Sequence, residues 1–454
     1  MSTPLYTALR AFADTNPLRM HMPGHKGKEL PLAEFSPAAE LDFTELPPTG
    51  NLFAGEGPIV EAQRLWAKVC GVEECLFLTG GSTQGVLTAL TLACRPGDAV
   101  LMDRGCHRSA YHALVLLDLE PVYLFRPWLE VAGVPGPMDP AEVDRALTDR
   151  PDIRAVFLTS PTYYGVRSDL PAIAQVCRRH GAKLVVDGAH GAHFPFLGIS
   201  ELAAADLAVL SAHKTLPAPG QAAVLLANGY SLAQLCRAGS VYGSSSPSYP
   251  IMAALDAVRE ALISGPLGLD YVETAAQTAL LRQRYPSLTP RDALLDPTRF
   301  VLRCDDGFSV KKELEKLGIY PEMADIRHVV FILTCADGKE ALDRLTRGLD
   351  QVLSRRPAPL SLPAPVTPPQ PQAVLRPREA FFSSVESLPL RLAEGRVCAA
   401  QVAPYPPGVP VIAPGELVTK KTIAYLAQIG YNMEKDTLVV RPGLLCEAGR
   451  SGGL

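Results

Sequence analysis

Lys214 is the residue around which a reaction can be built. It lies in SAHKTLPAPGQ (211–221), directly after the apolar run DLAVL, with Ser211 and His213 before it and Thr215 after it. Most of the other lysines sit among charges, as in KKELEK, and read as solvated. A partly desolvated lysine amine at a strand end can condense with an aldehyde cofactor; the plain alternative is a structural lysine at a helix start. Asp187 closes a second apolar run in LVVDGAHGAHFPF (184–196). A carboxylate buried there needs a cationic or hydrogen-bonding partner, and the protonated ring nitrogen of pyridoxal 5'-phosphate is one. Asp187, His190 and His193 also have an i, i+3, i+6 spacing that on a helix would offer metal ligands. The intervening glycines and the preceding strand argue for a turn, so no metal is expected.

Two further segments supply complementary chemistry. In LTGGSTQGVLTAL (78–90) a strand runs through a Gly-Gly-Ser-Thr turn into a helix. Exposed amides at a helix start, flanked by hydroxyls, cradle an anion, which marks Gly81, Ser82 and Thr83 as a phosphate site; an ordinary capped helix reads the same way. No Gly-x-Gly-x-x-Gly follows the first strand, so a dinucleotide fold is disfavoured. In DRGCHRSAYHAL (103–114), His107 lies between a strand and a helix. It is placed either to stack on a planar cofactor ring or to cap the helix. Phosphate cradle, imidazole, carboxylate and lysine follow one another along the chain, each at a strand end. Seven of the nine histidines fall in these segments or in HMPGHKG (21–27).

The elements that must position these groups alternate. CLFLT, AVLMD, PVYLF, AVFLTS, KLVVD, DLAVLS and AAVLLA, between residues 75 and 227, are short apolar runs expected as buried strands. Amphipathic segments such as PAEVDRALTD and LPAIAQVCRRH separate several of them. Strand, helix, strand at this spacing predicts an α/β fold with a mostly parallel sheet, helices on both faces and ligands at the carboxyl ends of the strands. The expected organisation is an N-terminal arm and large domain over 1–260, then a small α+β unit over 261–356. A proline-rich linker over 357–377 and a terminal α+β unit over 378–454 complete it.

Composition excludes several classes. The 454 residues are 47% hydrophobic and 20% charged, with a formal net charge of −4. That supports a large core and argues against disorder and against a nucleic-acid-coating surface. No apolar stretch is long enough to span a membrane, and the first residues lack a signal core. Ten cysteines occur without a Cys-x-x-Cys pair. They are expected as reduced, mostly buried thiols in a cytoplasmic protein.

The chain resembles the Orn/Lys/Arg decarboxylases, fold-type-I pyridoxal phosphate enzymes of the aspartate aminotransferase type. The matching strings are MHMPGHKG (20–27), GGSTQG (80–85), CHRSAYHAL (106–114), SPTYYGV (160–166), VDGAHGAHF (186–194), SAHKTL (211–216), SSSPSYPIMAALD (244–256) and PYPPGVPVIAPGE (404–416). They span nearly the whole chain, and the last is peculiar to this family. It resembles the short form without the N-terminal wing domain, the arginine decarboxylase-like form. The resemblance implies that Lys214 carries the cofactor, Asp187 pairs with its ring nitrogen, His107 stacks on the ring and His190 sits beside it. It implies a phosphate site from Ser82, Thr83, Ser211 and His213, with Ser245 and Ser246 reaching across a homodimer. Glu416 and Tyr163 are expected to contact substrate.

Two departures stand out. The family has a glutamate where this chain has Gly188, and an apolar residue and a threonine where it has Pro219 and Gly220. The implied reaction is decarboxylation of a basic L-amino acid, arginine first and lysine or ornithine next, to the amine and carbon dioxide, feeding polyamine metabolism. The competing readings are another fold-type-I enzyme, an aminotransferase or lyase, and a non-catalytic homologue.

Overall fold

The computed structural model describes residues 2–355, 368–404 and 409–442. Much of the expected linker, part of PYPPGVPVIAPGE and Cys446 lie outside these residues.

The seven apolar runs form one sheet: β1 (Glu74–Leu78), β2 (Ala99–Asp103), β3 (Glu120–Leu124), β4 (Ile153–Thr159), β5 (Lys183–Asp187), β6 (Leu207–Leu210) and β7 (Ala223–Ala227). Their spatial order is β1-β7-β6-β5-β4-β2-β3. β7 pairs antiparallel with both β1 and β6, and every other pairing is parallel. Continuous apolar runs form here because both faces are covered: Val100, Leu101, Val156, Leu184, Val185, Val186 and Leu225 are fully buried. Each such side chain contributes about 1.5–3 kcal/mol relative to an exposed one.

Local signals set the crossover helices. Leu170–His180 starts at Asp169, whose carboxylate accepts from Ala172 N at 3.0 Å. It turns Leu170, Ile173, Ala174 and Cys177 inward, ends on three basic residues and stops at Gly181 with φ +69°. Basic residues in the last turn oppose the helix dipole, and glycine accepts the left-handed cap.

A second hydrophobic cluster gathers on the antiparallel sheet Arg299–Arg303, His328–Ile332 and Met323–Ala324 with the helices Gly307–Lys316 and Gly338–Leu353. A third surrounds the antiparallel pair Val385–Pro389 and Asp436–Val440 and the helix Lys420–Gln428. The helix Tyr249–Ser264 runs through residue 260, so a boundary expected there falls inside a helix whose buried side chains belong to the large core.

Candidate active site

Five connections converge at the carboxyl ends of the parallel strands. β1 leads into the helix Gly81–Ala93, β2 into His107, β4 into the turn 160–166, β5 ends on Asp187, and β6 leads into Ser211–Thr215. β5 and β6 are neighbours, with Asp187 opposite Val209, so Asp187 and Lys214 emerge side by side.

Lys214 Nζ lies 3.3 Å from His190 Nε2. The lysine is pushed below its usual pKa, chiefly by burial, with Asp187 opposing the shift. His190 is held well below the usual imidazole value by burial, and Lys214 and Arg299 push the same way. Its other nitrogen, Nδ1, lies 3.2 Å from Arg299 Nη2. Tyr163 sets its ring edge-on to His190 at 4.7 Å, and its hydroxyl donates to Glu322. Asp187 is buried, and its Oδ1 accepts from Ala189 N at 3.1 Å.

Of the two roles considered for His107, the structure shows the helix cap. Its Nδ1 accepts from Ser109 N at 3.3 Å as the cap of the helix Arg108–Leu117. Burial lowers its pKa, with Asp187 raising it and Lys214 lowering it, so its ring lies within electrostatic reach of both.

The expected phosphate-type groups lie on two segments joined by one backbone bond. The thirteen-residue helix Gly81–Ala93 starts without a side-chain cap, with Ser82 and Thr83 in its first turn. Gly81 N donates to Gln221 O at 3.0 Å, tying that turn to the loop that follows Lys214. Ser211 Oγ and Thr215 Oγ1 are buried without a hydrogen-bond partner. His213 Nδ1 is 3.1 Å from the Ala222 carbonyl, which leaves Nε2 as its outward nitrogen.

Three expected residues stand elsewhere. Ser245 and Ser246 are exposed on the turn before Tyr249–Ser264, and among the described residues no hydrogen bond joins them to Lys214 or its neighbours. Glu416 makes no opening for substrate: its oxygens accept from Arg104 Nη1 and Nη2 at 2.9 Å each, and Oε2 accepts from Ala413 N at 2.8 Å. Its substrate role is therefore corrected to a buried tie between the terminal unit and the loop after β2. His193 faces away from Asp187, bonding Asp296 Oδ1 at 2.9 Å and lying nearly parallel to the Tyr271 ring.

The comparisons with known proteins agree with this architecture. Residues 3–297 match the Orn/Lys/Arg decarboxylase major domain, and residues 363–435 match the C-terminal domain of the same family. The chain belongs to the Orn/Lys/Arg decarboxylase family. It is 33% identical to the uncharacterized protein YaaO of Bacillus subtilis, over 94% of each chain. It is 30% identical to the arginine decarboxylase of the same organism, over 93% of each. The Francisella novicida lysine decarboxylase LdcF superposes with a TM-score of 0.79 at 19% identity, covering 97% of this chain and 81% of that one. A Bacillus subtilis ureidoglycine–glyoxylate aminotransferase reaches 0.54 at 16% identity, covering 67% and 86%. At such identities the superpositions establish the fold, the fold-type-I architecture expected from the sequence.

Against the family pattern, the glycine at 188 has a packing reason. A Cβ there would stand 3.0 Å from Cδ2 of both Leu202 and Leu210. The two leucines fill the volume that a glutamate would need. Gly220 is exposed with open space around it, so that departure changes an outer turn.

Arg299 is the site residue that sequence reasoning missed. It opens the strand RFVLR in another unit, where a charge before an apolar run signals nothing by itself.

Proposed function

We propose that the chain is a pyridoxal 5'-phosphate-dependent decarboxylase acting on a basic L-amino acid, arginine first. One observation carries this reading: the desolvated Lys214 amine stands 3.3 Å from His190, on the same rim as Asp187. The donor set fits the cofactor. Ser211 Oγ is buried and lacks a partner, and the helix Gly81–Ala93 starts without a side-chain cap, both of which suit a phosphate acceptor.

Bound pyridoxal 5'-phosphate supplies an aldehyde that condenses with an amine, and a ring that accepts the electron pair left when carbon dioxide departs. The chain's own residues do the rest. Lys214 offers an amine with lowered basicity. Asp187, a buried carboxylate on the same rim, would pair with the cofactor's ring nitrogen and favour its protonated form. His107 offers a flat face within electrostatic reach of both. Ser82, Thr83 and Ser211 supply phosphate donors, and His190 or Lys214 returns a proton to the substrate carbon. Glu322, exposed and accepting from Tyr163 beside His190, suits the distal cation of the substrate.

Arginine is preferred over lysine because the arginine decarboxylase match is 30% identical, whereas the Pseudomonas aeruginosa lysine decarboxylase LdcA matches at 23%. The product, agmatine, is a polyamine precursor. A homodimer is part of the proposal, with Ser245 and Ser246 of one copy serving the other. The location proposed is the cytoplasm: the nine described cysteines are free and buried, and no described helix is long and apolar enough to cross a membrane.

The test is a panel of arginine, lysine and ornithine with detection of both carbon dioxide and amine, in the intact protein and in Lys214→Ala. Release from arginine that Lys214→Ala abolishes is expected. Amine transfer to a keto acid would point to an aminotransferase, and retained activity in the variant would overturn the mechanism. Light scattering of the loaded protein tests the dimer, and a monomer would overturn it.

A further inference from the structure

Behind His190 lies a run of charged and polar groups that no motif in the chain connects. Arg299 is fully buried, and its Nη2 is 3.2 Å from His190 Nδ1. Asp296 Oδ2 approaches the same guanidinium at 3.7 Å, and Asp296 Oδ1 bonds His193 and Thr298 at 2.9–3.0 Å. The turn 160–166 is shaped to admit Arg299, because Gly165 leaves the room that the arginine stem occupies.

A guanidinium only donates. Its partner nitrogen, His190 Nδ1, therefore presents a lone pair, and the ring proton resides on Nε2. That nitrogen faces Lys214 Nζ at 3.3 Å. An N–H directed at an amine makes a hydrogen bond only when the amine has a lone pair. An ammonium at Lys214 would instead face the N–H of a neutral ring without an acceptor.

We propose that Arg299 is a positioning residue for the reaction: it holds His190 as the neutral Nε2–H tautomer and thereby favours Lys214 as the free amine. The inference deepens the reading of Lys214 as the cofactor-bearing lysine and rests on it. The charges around the pair are Asp187 and Glu322, which favour the ammonium, and Arg299, His107 and His193, which disfavour positive charge on Lys214 or on His190. Burial acts in the same direction as the arginine for both groups. The permanent charge of Arg299, its donor-only contact at Nδ1 and burial leave the imidazolium form of His190 without support.

Nitrogen-15 NMR of the full-length, histidine-labelled protein decides the tautomer, measured without and with pyridoxal 5'-phosphate, with His190 assigned by its loss in His190→Gln. The expected spectrum has an unprotonated Nδ1 and a protonated Nε2; a protonated Nδ1, alone or in an imidazolium, overturns the inference. The same spectra of Arg299→Met and Arg299→Lys, with amine labelling of Lys214 against pH, give a second readout. Arg299→Met is expected to release the tautomer and move the labelling midpoint upward by about one unit. Arg299→Lys, which keeps a donor and a charge, is expected to retain the wild-type tautomer. An unchanged tautomer and midpoint in Arg299→Met would also overturn the inference. Should neither variant fold, the wild-type spectrum still decides. Lys214-dependent carbon dioxide release alongside a protonated Nδ1 would sink this inference alone. Absence of cofactor binding and of release would sink the functional reading and leave the tautomer measurement valid.

Discussion

The side chain of Arg299 occupies the space that a side chain on Gly165 would need: Cβ and Cγ of the arginine lie 2.7 Å from the position of a Cβ at residue 165, which has φ +81°. The glycine thus meets two demands at once, a left-handed backbone and close approach of another unit. Gly165→Ala is expected to lower stability by about 2–4 kcal/mol, the sum of left-handed strain and overpacking. Urea denaturation checks this, and a loss below about 0.5 kcal/mol would mean the turn and Arg299 adjust independently.

Acid should weaken the fold through His190 and His107. Both have folded pKa values below the ordinary histidine value, in each case chiefly because of burial. The unfolded chain takes up protons as the pH falls through about 6.5, while the folded rings stay neutral until lower pH. The stability is therefore fully present above that value and declines below it. Urea midpoints followed from about pH 8 down to pH 5 should fall, and more shallowly in His190→Gln. A slope unchanged by that substitution would contradict the assignment to His190.

Much of this site was legible because of topology. Lys214 and Asp187 each follow an apolar run, and parallel strands send such residues to one rim. The antiparallel direction of β7 was not legible, since AAVLLA is as apolar as its parallel neighbours and buried strands look alike from either direction. Arg299 was invisible for another reason: it joins His190 only because the segment 294–296 docks on the turn 160–167, with Arg167 N bonding Leu294 O at 2.9 Å and Asp296 N bonding Gly165 O at 2.8 Å. The substrate contact expected of Glu416 came from the family resemblance, and nothing in the sequence pairs it with Arg104, 312 residues away.

That pair carries its own prediction. Arg104 and Glu416 have side chains only 8% and 4% exposed and share two bonds of 2.9 Å. Removing one partner strands a buried charge, so Arg104→Met is expected to cost about 3–5 kcal/mol. Arg104→Met combined with Glu416→Leu should recover much of the loss, because an apolar pair satisfies itself. Chemical denaturation of the single and double variants is the measurement. A double variant as unstable as the sum of its singles would show that the two residues act separately.

Under the proposed function, a basic substrate needs a carboxylate for its distal cation, and Glu322 is the proposed one. It is exposed, it accepts from the Tyr163 hydroxyl, and the Tyr163 ring contacts His190 at 4.7 Å, one step from Lys214. It also raises the affinity of Lys214 for a proton, as a negative charge near the amine does. An exposed carboxylate meeting a guanidinium contributes about 1 kcal/mol after screening by solvent, which is about fivefold in binding. Glu322→Gln is therefore expected to raise the KM for arginine by about fivefold and to leave kcat within about twofold, since the contact is equal in ground and transition states. Steady-state carbon dioxide release against arginine concentration measures both. A fall in kcat with unchanged KM would instead assign Glu322 to the protonation of Lys214 and leave the distal cation to another group.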